Sequence, residues 1–133
     1  MDRLDFSKDL NSFSFSYDKK DSAIFELNDE SQKRIIISRL YYALYHRVLA
    51  ELPKIKELTG PSGHVTVVNT LEKQTRKGMH YQRLYNHYRD LKRLREWADY
   101  RIDEDLGADT TFAVLLQKTY SFIKSAKLIA EVK

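Results

Sequence analysis

Cysteine is absent from this chain of 133 residues, and glycine and proline are scarce, at four and two residues. Without thiols the protein has no disulfide framework, no cysteine nucleophile and no cysteine-ligated zinc site. No apolar run approaches the roughly 20 residues that a membrane-spanning helix needs. The first residues also lack the apolar stretch of a signal peptide. We therefore expect a cytoplasmic protein with no membrane association.

The clearest turn in the sequence lies at 60–63, where two glycines and a proline fall together. Long periodic segments with few turns indicate helices, and a chain of this length suits one domain. We predict a single domain over residues 1–133. Residues 1–30 show no pattern that predicts their structure.

Four segments have the spacing of helices. Residues 31–52 are apolar nearly all round and are followed by Pro53, which predicts a central, buried helix. Residues 80–101 and 110–132 each carry one apolar stripe, whereas 62–77 are ambiguous because their valines favour strands. The sequence predicts an all-α fold, an antiparallel helical bundle of four to five helices. The inward stripe of the third helix is predicted to consist of Leu84, Tyr88, Leu91, Leu94 and Ala98.

Positive charge is concentrated in residues 73–101, although the net charge of the whole chain is only +4. A basic segment with interleaved aromatic residues is typical of a surface that binds RNA or DNA. The alternative is an ordinary solvated helix face, and charge alone does not decide between them. The cations of this segment are Lys73, Arg76, Lys77, Arg83, Arg89, Lys92, Arg93, Arg95 and Arg101.

Polar side chains on the first and third predicted helices, 31–52 and 80–101, are candidate site residues. Arg39 and His46 are seven positions apart and lie within about 20° of each other on one helix face, with Tyr42 between them. Arg95 lies on the apolar stripe of its helix, and a buried guanidinium needs an acceptor. Asp99, one turn later, can supply that acceptor.

Three short motifs resemble those of HEPN-domain proteins. Residues 39–46, RLYYALYH, resemble the SRxYYAxFH helix of that superfamily. A Gly-His pair, Gly63-His64, opens the next helix, and residues 94–100, LREWADY, resemble the LRxxADY segment. The resemblance covers residues 31–130, while the first 30 residues do not match the usual first helix of the family.

The resemblance implies a HEPN-like helical bundle that forms a homodimer and acts on RNA in a toxin–antitoxin or antiviral defence system. Many relatives are metal-independent endoribonucleases, and some pair with a nucleotidyltransferase or antitoxin protein. Those nucleases carry an Arg-x4-6-His motif where this chain has 95–100. Here Asp99 and Tyr100 occupy the place of the histidine, which puts nuclease activity in doubt.

If the protein cleaves RNA, we expect Arg39, His46 and Arg95 to be the catalytic residues. A histidine would take the proton of the ribose 2′-OH, and an arginine would stabilise the charge on phosphorus, without a metal or a cofactor. His46→Ala would then abolish cleavage. Residues predicted to bind or orient the RNA are Tyr42, Asp99, Tyr100, Arg89 and Arg93.

The alternative is a noncatalytic helical module that binds a protein partner or RNA. In that case His46 and Tyr42 are satisfied polar groups of the core, and the arginines pair with Asp99 or with backbone carbonyls. Convergence of Arg39, His46 and Arg95 on an open cleft would favour catalysis. Burial of the three in a closed core would favour the binding module.

Overall fold

A computed structural model describes residues 7–8, 29–52, 61–101, 103, 112–125 and 127–130. Within these ranges the chain forms four α-helices and a short 3-10 turn, and it contains no strand. The prediction of an all-α helical bundle is therefore confirmed. The helices are α1 (Asp29–Glu51), α2 (Pro61–Gln74), α3 (Met79–Tyr100) and α4 (Phe112–Lys124), with the 3-10 turn at Thr75–Lys77 between α2 and α3.

Helix α1 is the central helix, as its nearly continuous apolar character predicts. Its apolar side chains are buried on several sides, and Ile37, Leu40, Tyr41 and Leu44 are fully buried. The hydroxyl of Ser7 also donates a hydrogen bond to the carbonyl of Ala43 at 2.5 Å, which places this part of the N-terminal segment against α1. The main core cluster consists of Ile36, Leu40, Tyr41, Leu44, Tyr45, Val48, Leu49, Val67, Leu71, Leu84, Tyr88, Leu91, Leu116, Leu128 and Ile129.

Helix α3 packs antiparallel to α1. Arg34, near the start of α1, bonds to the carbonyl of Trp97 near the end of α3, whereas Tyr41 in mid-α1 meets Tyr88 earlier in α3. All five residues of the predicted inward stripe of α3 are buried, which confirms the helical spacing of that segment.

Residues 61–74 form a helix despite the strand preference of their valines. Val67 is fully buried against the core, whereas Val65 is 57% exposed. Val67 and Leu71, four positions apart, are both buried, which is helical spacing. Packing on α1 and α3 therefore outweighs the weak intrinsic preference of branched side chains. Gly78 separates the 3-10 turn from α3. Its φ of 149° is a backbone conformation that residues other than glycine rarely adopt.

The last helix is shorter than predicted. We expected a helix over 110–132, but α4 ends at Lys124 and the described residues after it are not helical. The guanidinium of Arg47 donates to the carbonyls of Ile123 at 3.3 Å and Ser125 at 2.7 Å. These carbonyls lie at the end of α4, so Arg47 supplies the partner that a further helical turn would have provided.

Residues 127–130 are held against the bundle by side chains from α1 and α2. The carboxylate of Glu51 accepts hydrogen bonds from the backbone N–H groups of Leu128, at 2.7 Å, and Ile129, at 3.1 Å. The amide of Gln74 pairs with both the N–H and the carbonyl of Ala130. The apolar residues Leu128 and Ile129 are therefore buried, but in a non-helical segment. Ile129 belongs to the predicted apolar stripe of residues 110–132, whereas Leu128 does not.

In the described part of the chain, no helix has both the length and the apolar character needed to cross a membrane.

Candidate functional site

A cavity of about 570 Å³ opens where α1, α2 and α3 meet. We call it the Arg95 cavity, because one of its lining residues is Arg95, whose guanidinium is surrounded by tyrosine rings. It combines two cationic side chains, one histidine, one amide and two phenols with an apolar wall. The described residues that line it are Tyr42, His64, Val65, Val68, Asn69, Lys92, Arg95 and Tyr100.

Tyrosine rings surround the guanidinium of Arg95, whose side chain is only 11% exposed. Its Cζ atom lies 5.0 Å from the ring centre of Tyr41, 5.7 Å from that of Tyr42 and 5.5 Å from that of Tyr100. These distances are within the range of cation–π contacts, which hold the cation without neutralising it.

Arg95 has few direct acceptors for a buried cation. Its Nη1 atom donates to the hydroxyl of Tyr100 at 3.2 Å and lies 3.7 Å from a carboxylate oxygen of Asp99. Its Nε atom is buried and has no hydrogen-bond partner among the described residues. A buried donor without an acceptor is unfavourable.

The pKa of Arg95 remains above its ordinary value. Burial acts to lower it, but the oxygens of Tyr42, Tyr100 and Tyr41 act together in the opposite direction and outweigh burial. The guanidinium is therefore charged at every physiological pH, and the cavity is electropositive.

His64 lies at the inner side of the cavity, near the start of α2. Its ring stacks on that of Tyr45, with 4.3 Å between the ring centres and an angle of 22° between the planes. Burial, followed by the nearby charges of Arg95 and Lys92, lowers the pKa of His64 below its ordinary value. The imidazole is thus uncharged at neutral pH.

A hydrogen-bond chain runs from the core to His64. The hydroxyls of Tyr88 and Tyr41 are 3.0 Å apart, and the Tyr41 hydroxyl lies 2.5 Å from Nδ1 of His64. Burial raises the pKa of Tyr41 to about 12 and that of Tyr88 still further, so both phenols keep their protons.

The order of donors along this chain follows from the position of Tyr88. Its hydroxyl is fully buried and Tyr41 is its one partner among the described residues, so we infer that it donates its proton to Tyr41. Tyr41 then donates to Nδ1 of His64, and the single proton of the neutral imidazole is on Nε2. The reverse order would leave the Tyr88 proton unsatisfied, at a cost of about 1–3 kcal/mol.

Three of the predicted site residues share this cavity. Arg95, Tyr42 and Tyr100 all line it, and Asp99 is the carboxylate that pairs with Arg95, as the i, i+4 spacing predicts. Tyr100 is 71% exposed and forms the outer edge of the cavity.

The other two predicted catalytic residues are not among those that line the Arg95 cavity. Arg39 is exposed and lines a different, smaller cavity of about 220 Å³, together with Arg34, Ser38 and Asp99. His46 is half-buried, and its ring meets the ring of Tyr45 edge-on at 5.2 Å. The convergence of Arg39 and His46 with Arg95 that would favour catalysis is therefore not seen at this cavity.

Arg89 and Arg93, predicted to bind RNA, are exposed on α3 outside the Arg95 cavity. The guanidinium of Arg89 lies 5.5 Å from the ring centre of Tyr85, which restricts its position on the helix surface.

Sequence reasoning did not select His64, Lys92 or Asn69 as site residues. Lys92 precedes Arg95 by three positions and so shares its side of α3, which is a signal that helical spacing could have supplied. His64 appeared only as part of the Gly-His motif. Nothing in the local sequence shows that it meets Tyr41, because the contact joins two helices across 23 residues.

Among the residues that the structure describes, no three histidine or carboxylate side chains lie close enough to hold a metal ion. Comparison of the chain with protein-family models, with curated proteins and with solved structures finds no match. The resemblance to HEPN domains therefore rests on the three sequence motifs alone.

Proposed function

We propose that the chain is a HEPN-like, RNA-binding helical domain whose Arg95 cavity holds a phosphate group and an adjoining base of single-stranded RNA. One observation supports this most strongly. The described polar groups that line the cavity are two cations, a histidine whose pKa is lowered, an amide and two phenols. No carboxylate is among them, because Asp99 and Glu96, which pair with Arg95 and Lys92, are not lining residues. Such a set favours an anion with several acceptor oxygens.

The aromatic residues of the cavity are suited to bind the second part of the proposed ligand, the base. Tyr42 is half-buried and Tyr100 is mostly exposed, so a planar base can stack at the mouth of the cavity. Stacking on aromatic side chains is the usual way in which proteins hold the unpaired bases of single-stranded RNA. A volume of about 570 Å³ is also in the range of small-ligand sites and suits one nucleotide.

The three HEPN-like motifs support RNA as the polymer and a toxin–antitoxin or antiviral setting. On the same resemblance we propose that the protein forms a homodimer and pairs with a nucleotidyltransferase or antitoxin protein. Light scattering of the purified chain measures the first of these properties, and co-purification with the product of a neighbouring gene measures the second.

The binding test uses a fluorescent single-stranded RNA of 12 nucleotides, titrated with protein and followed by anisotropy. Arg95→Gln removes the buried cation but keeps a polar side chain, and we expect the affinity to fall roughly ten- to a hundredfold. The matched control is Arg76→Gln, which removes one exposed cation outside the cavity. We expect its effect to stay within about twofold, because a single rim charge contributes little.

Thermal melting shows whether both variants keep the fold. Equal losses of affinity in Arg95→Gln and Arg76→Gln would show general charge attraction and overturn the proposed site. Failure of the wild type to bind any RNA at low salt would overturn RNA binding itself.

A second candidate function is metal-independent cleavage of the bound RNA, and it is favoured by the uncharged state of His64. A general base must be unprotonated at the operating pH, and the lowered pKa of His64 meets that condition beside the cationic Arg95. In this step His64 takes the 2′-OH proton, the 2′ oxygen attacks phosphorus, and the 5′ oxygen leaves with a proton from water. In the inferred resting state Nδ1 of His64 is bonded to Tyr41 and Nε2 carries the proton, so His64 must change tautomer before it can accept the 2′-OH proton. Binding is therefore the better-supported function.

The cleavage test incubates labelled RNA with the protein in EDTA and analyses the ends of the products. Products with 2′,3′-cyclic phosphates, lost in His64→Ala and retained in His46→Ala, would establish cleavage at the Arg95 cavity. Loss in His46→Ala alone would instead support the catalytic residues that the sequence predicts. Intact RNA in every sample would leave binding as the function.

A further inference from the structure

A second cavity, of about 470 Å³, lies between α3 and α4. We call it the Lys118 cavity. It carries two cations and two amides around an aromatic floor, and Asp90 is its one described carboxylate. The described residues that line it are Arg83, Asn86, His87, Asp90, Gln117, Lys118, Ser121 and Phe122.

The floor of the Lys118 cavity is uncharged and planar. The His87 ring stacks on Phe122, with 5.4 Å between ring centres and 30° between planes. Thr119 donates its only hydroxyl proton to the carbonyl of Leu115, so it must accept from Nε2–H of His87 at 2.8 Å. This hydrogen bond fixes a proton on Nε2 of His87. Burial, followed by the nearby charge of Lys118, lowers the pKa of His87 to about 4, so the ring is uncharged at neutral pH, next to exposed Arg83 and Lys118.

A single row of side chains on α3 joins the two cavities. Every third position from 83 to 95 carries a hydrogen-bond donor, and we call this set the α3 donor row. Three residues turn an α-helix by about 300° and advance it by about 4.5 Å, so successive members lie roughly 60° apart around the helix. The members are Arg83, Asn86, Arg89, Lys92 and Arg95.

The two ends of the row lie in different cavities, and its middle is on the outer surface. Arg83 and Asn86 line the Lys118 cavity, whereas Lys92 and Arg95 line the Arg95 cavity. Arg89, between them, is exposed and rests over the ring of Tyr85. The row thus crosses the solvent-facing side of α3 without interruption.

Carboxylates accompany the row but leave it available to another anion. Glu96 pairs with Lys92 at 3.1 Å, and the two side chains are 40% and 36% exposed. An exposed pair of this kind contributes only about 0–1 kcal/mol, so a phosphate can replace Glu96 at little cost. In the Arg95 cavity the second cation, Arg95, lies 3.7 Å from a carboxylate oxygen of Asp99. In the Lys118 cavity Asp90 is a lining residue, and no salt bridge among the described residues joins a carboxylate to Arg83 or Lys118.

We propose that the α3 donor row is the track for the backbone of one RNA strand, and that the Lys118 cavity holds a second nucleotide of that strand. The inference rests on the proposed function and extends it from one nucleotide to a site of defined length. The row spans about 18 Å along the axis, and roughly 30 Å along its curved path around the helix. This length suits a site at the small end of those known for single-strand binders, about 4 to 6 nucleotides.

The test compares oligouridylates of 3 and 12 nucleotides, both labelled and measured by anisotropy. The 3-nucleotide RNA can occupy only one cavity, whereas the 12-nucleotide RNA can reach both. We expect the wild type to bind the longer RNA at least tenfold more tightly. Arg83→Gln/Lys118→Gln should remove most of that gain and leave the affinity for the shorter RNA unchanged.

The matched control is Lys73→Gln/Arg76→Gln, which changes the net charge equally at exposed positions outside both cavities. We expect it to keep the length-dependent gain within about twofold. Arg89→Gln should lower the slope of log affinity against log salt for the longer RNA by about one, as loss of one phosphate contact requires.

The outcomes separate this inference from the proposed function. If Arg95→Gln weakens binding but Arg83→Gln/Lys118→Gln matches its control, the track is overturned and the Arg95 cavity stands. If neither RNA binds the wild type, both are overturned.

Discussion

The hydroxyl of Tyr41 lies 2.5 Å from Nδ1 of His64, and this contact joins the buried centre of α1 to the start of α2. It positions the only histidine among the described residues that line the Arg95 cavity, and we infer from it the tautomer of that histidine. Because Tyr41 is in turn held by the fully buried Tyr88, the state of His64 depends on the packing of three helices.

Tyr41→Phe should release the tautomer of His64. In the wild type we expect the imidazole proton on Nε2, because Nδ1 accepts from Tyr41. Long-range ¹⁵N–¹H correlation spectra distinguish the two tautomers directly. The variant should show both forms, whereas Tyr42→Phe, which alters the cavity wall but not this bond, should resemble the wild type. A wild-type spectrum with the proton on Nδ1 would contradict the proposed order of donors.

His87 should make the protein less stable in mild acid. Burial, followed by the nearby charge of Lys118, lowers the pKa of His87 from 6.5 to about 4. Between these values the unfolded chain binds a proton that the native state does not, so the free energy of unfolding falls as the pH falls from 6.5 to 4. The contribution is fully present above pH 6.5, and its loss amounts to roughly 3 kcal/mol.

His87→Gln removes this titration while keeping a donor for Thr119, so its stability should depend less on pH over the same range. Urea unfolding of both proteins at several pH values between 4 and 7.5 measures the difference. Parallel curves for the two proteins would show that His87 does not have the lowered pKa.

Glu51→Ala should destabilise the bundle by about 3–5 kcal/mol. Glu51 pairs with Arg47 and accepts from the N–H groups of Leu128 and Ile129, and the Arg47 side chain is 5% exposed. The variant leaves a buried cation and two backbone donors without their acceptor. Glu72→Ala, at an exposed position of α2, serves as the control in urea unfolding. A loss below 1 kcal/mol for Glu51→Ala would show that the segment 127–130 is held by its apolar side chains and by Gln74, without a contribution from Glu51.

Arg34→Lys should loosen the C-terminal end of α3. Arg34 donates to the carbonyls of Trp97 at 2.6 Å and Arg101 at 3.2 Å, and its guanidinium lies 3.8 Å from the ring centre of Trp97. A lysine cannot reproduce the planar fork, so we expect a loss of about 1–3 kcal/mol in the free energy of unfolding. Arg39→Lys, at an exposed position of the same helix, should change it by less than 0.5 kcal/mol. Equal effects of the two changes would show that charge, not the fork geometry, is what Arg34 contributes.

The parts of the fold that the sequence predicts are those determined by local spacing. The inward stripe of α3 and the pairing of Arg95 with Asp99 both follow from 3.6 residues per turn, which needs no knowledge of the other helices. The position of α1 at the centre likewise follows from its apolar character on all sides.

The candidate site depends on contacts between helices, and here the sequence alone was insufficient. Arg39 and His46 share a helix face with Tyr42, yet only Tyr42 is among the residues that line the Arg95 cavity. His64 lines the cavity because α2 packs against α1. That packing depends on the whole hydrophobic core and not on the residues around position 64.

The end of α4 shows the same division. The apolar stripe predicted for residues 110–132 includes Ile129, which is buried, because burial follows from hydrophobic character. It did not predict that the helix ends at Lys124. Only the tertiary structure decided that, since the carboxylate of Glu51 and the guanidinium of Arg47 bind backbone groups some 77 residues away and outweigh the local preference for another helical turn.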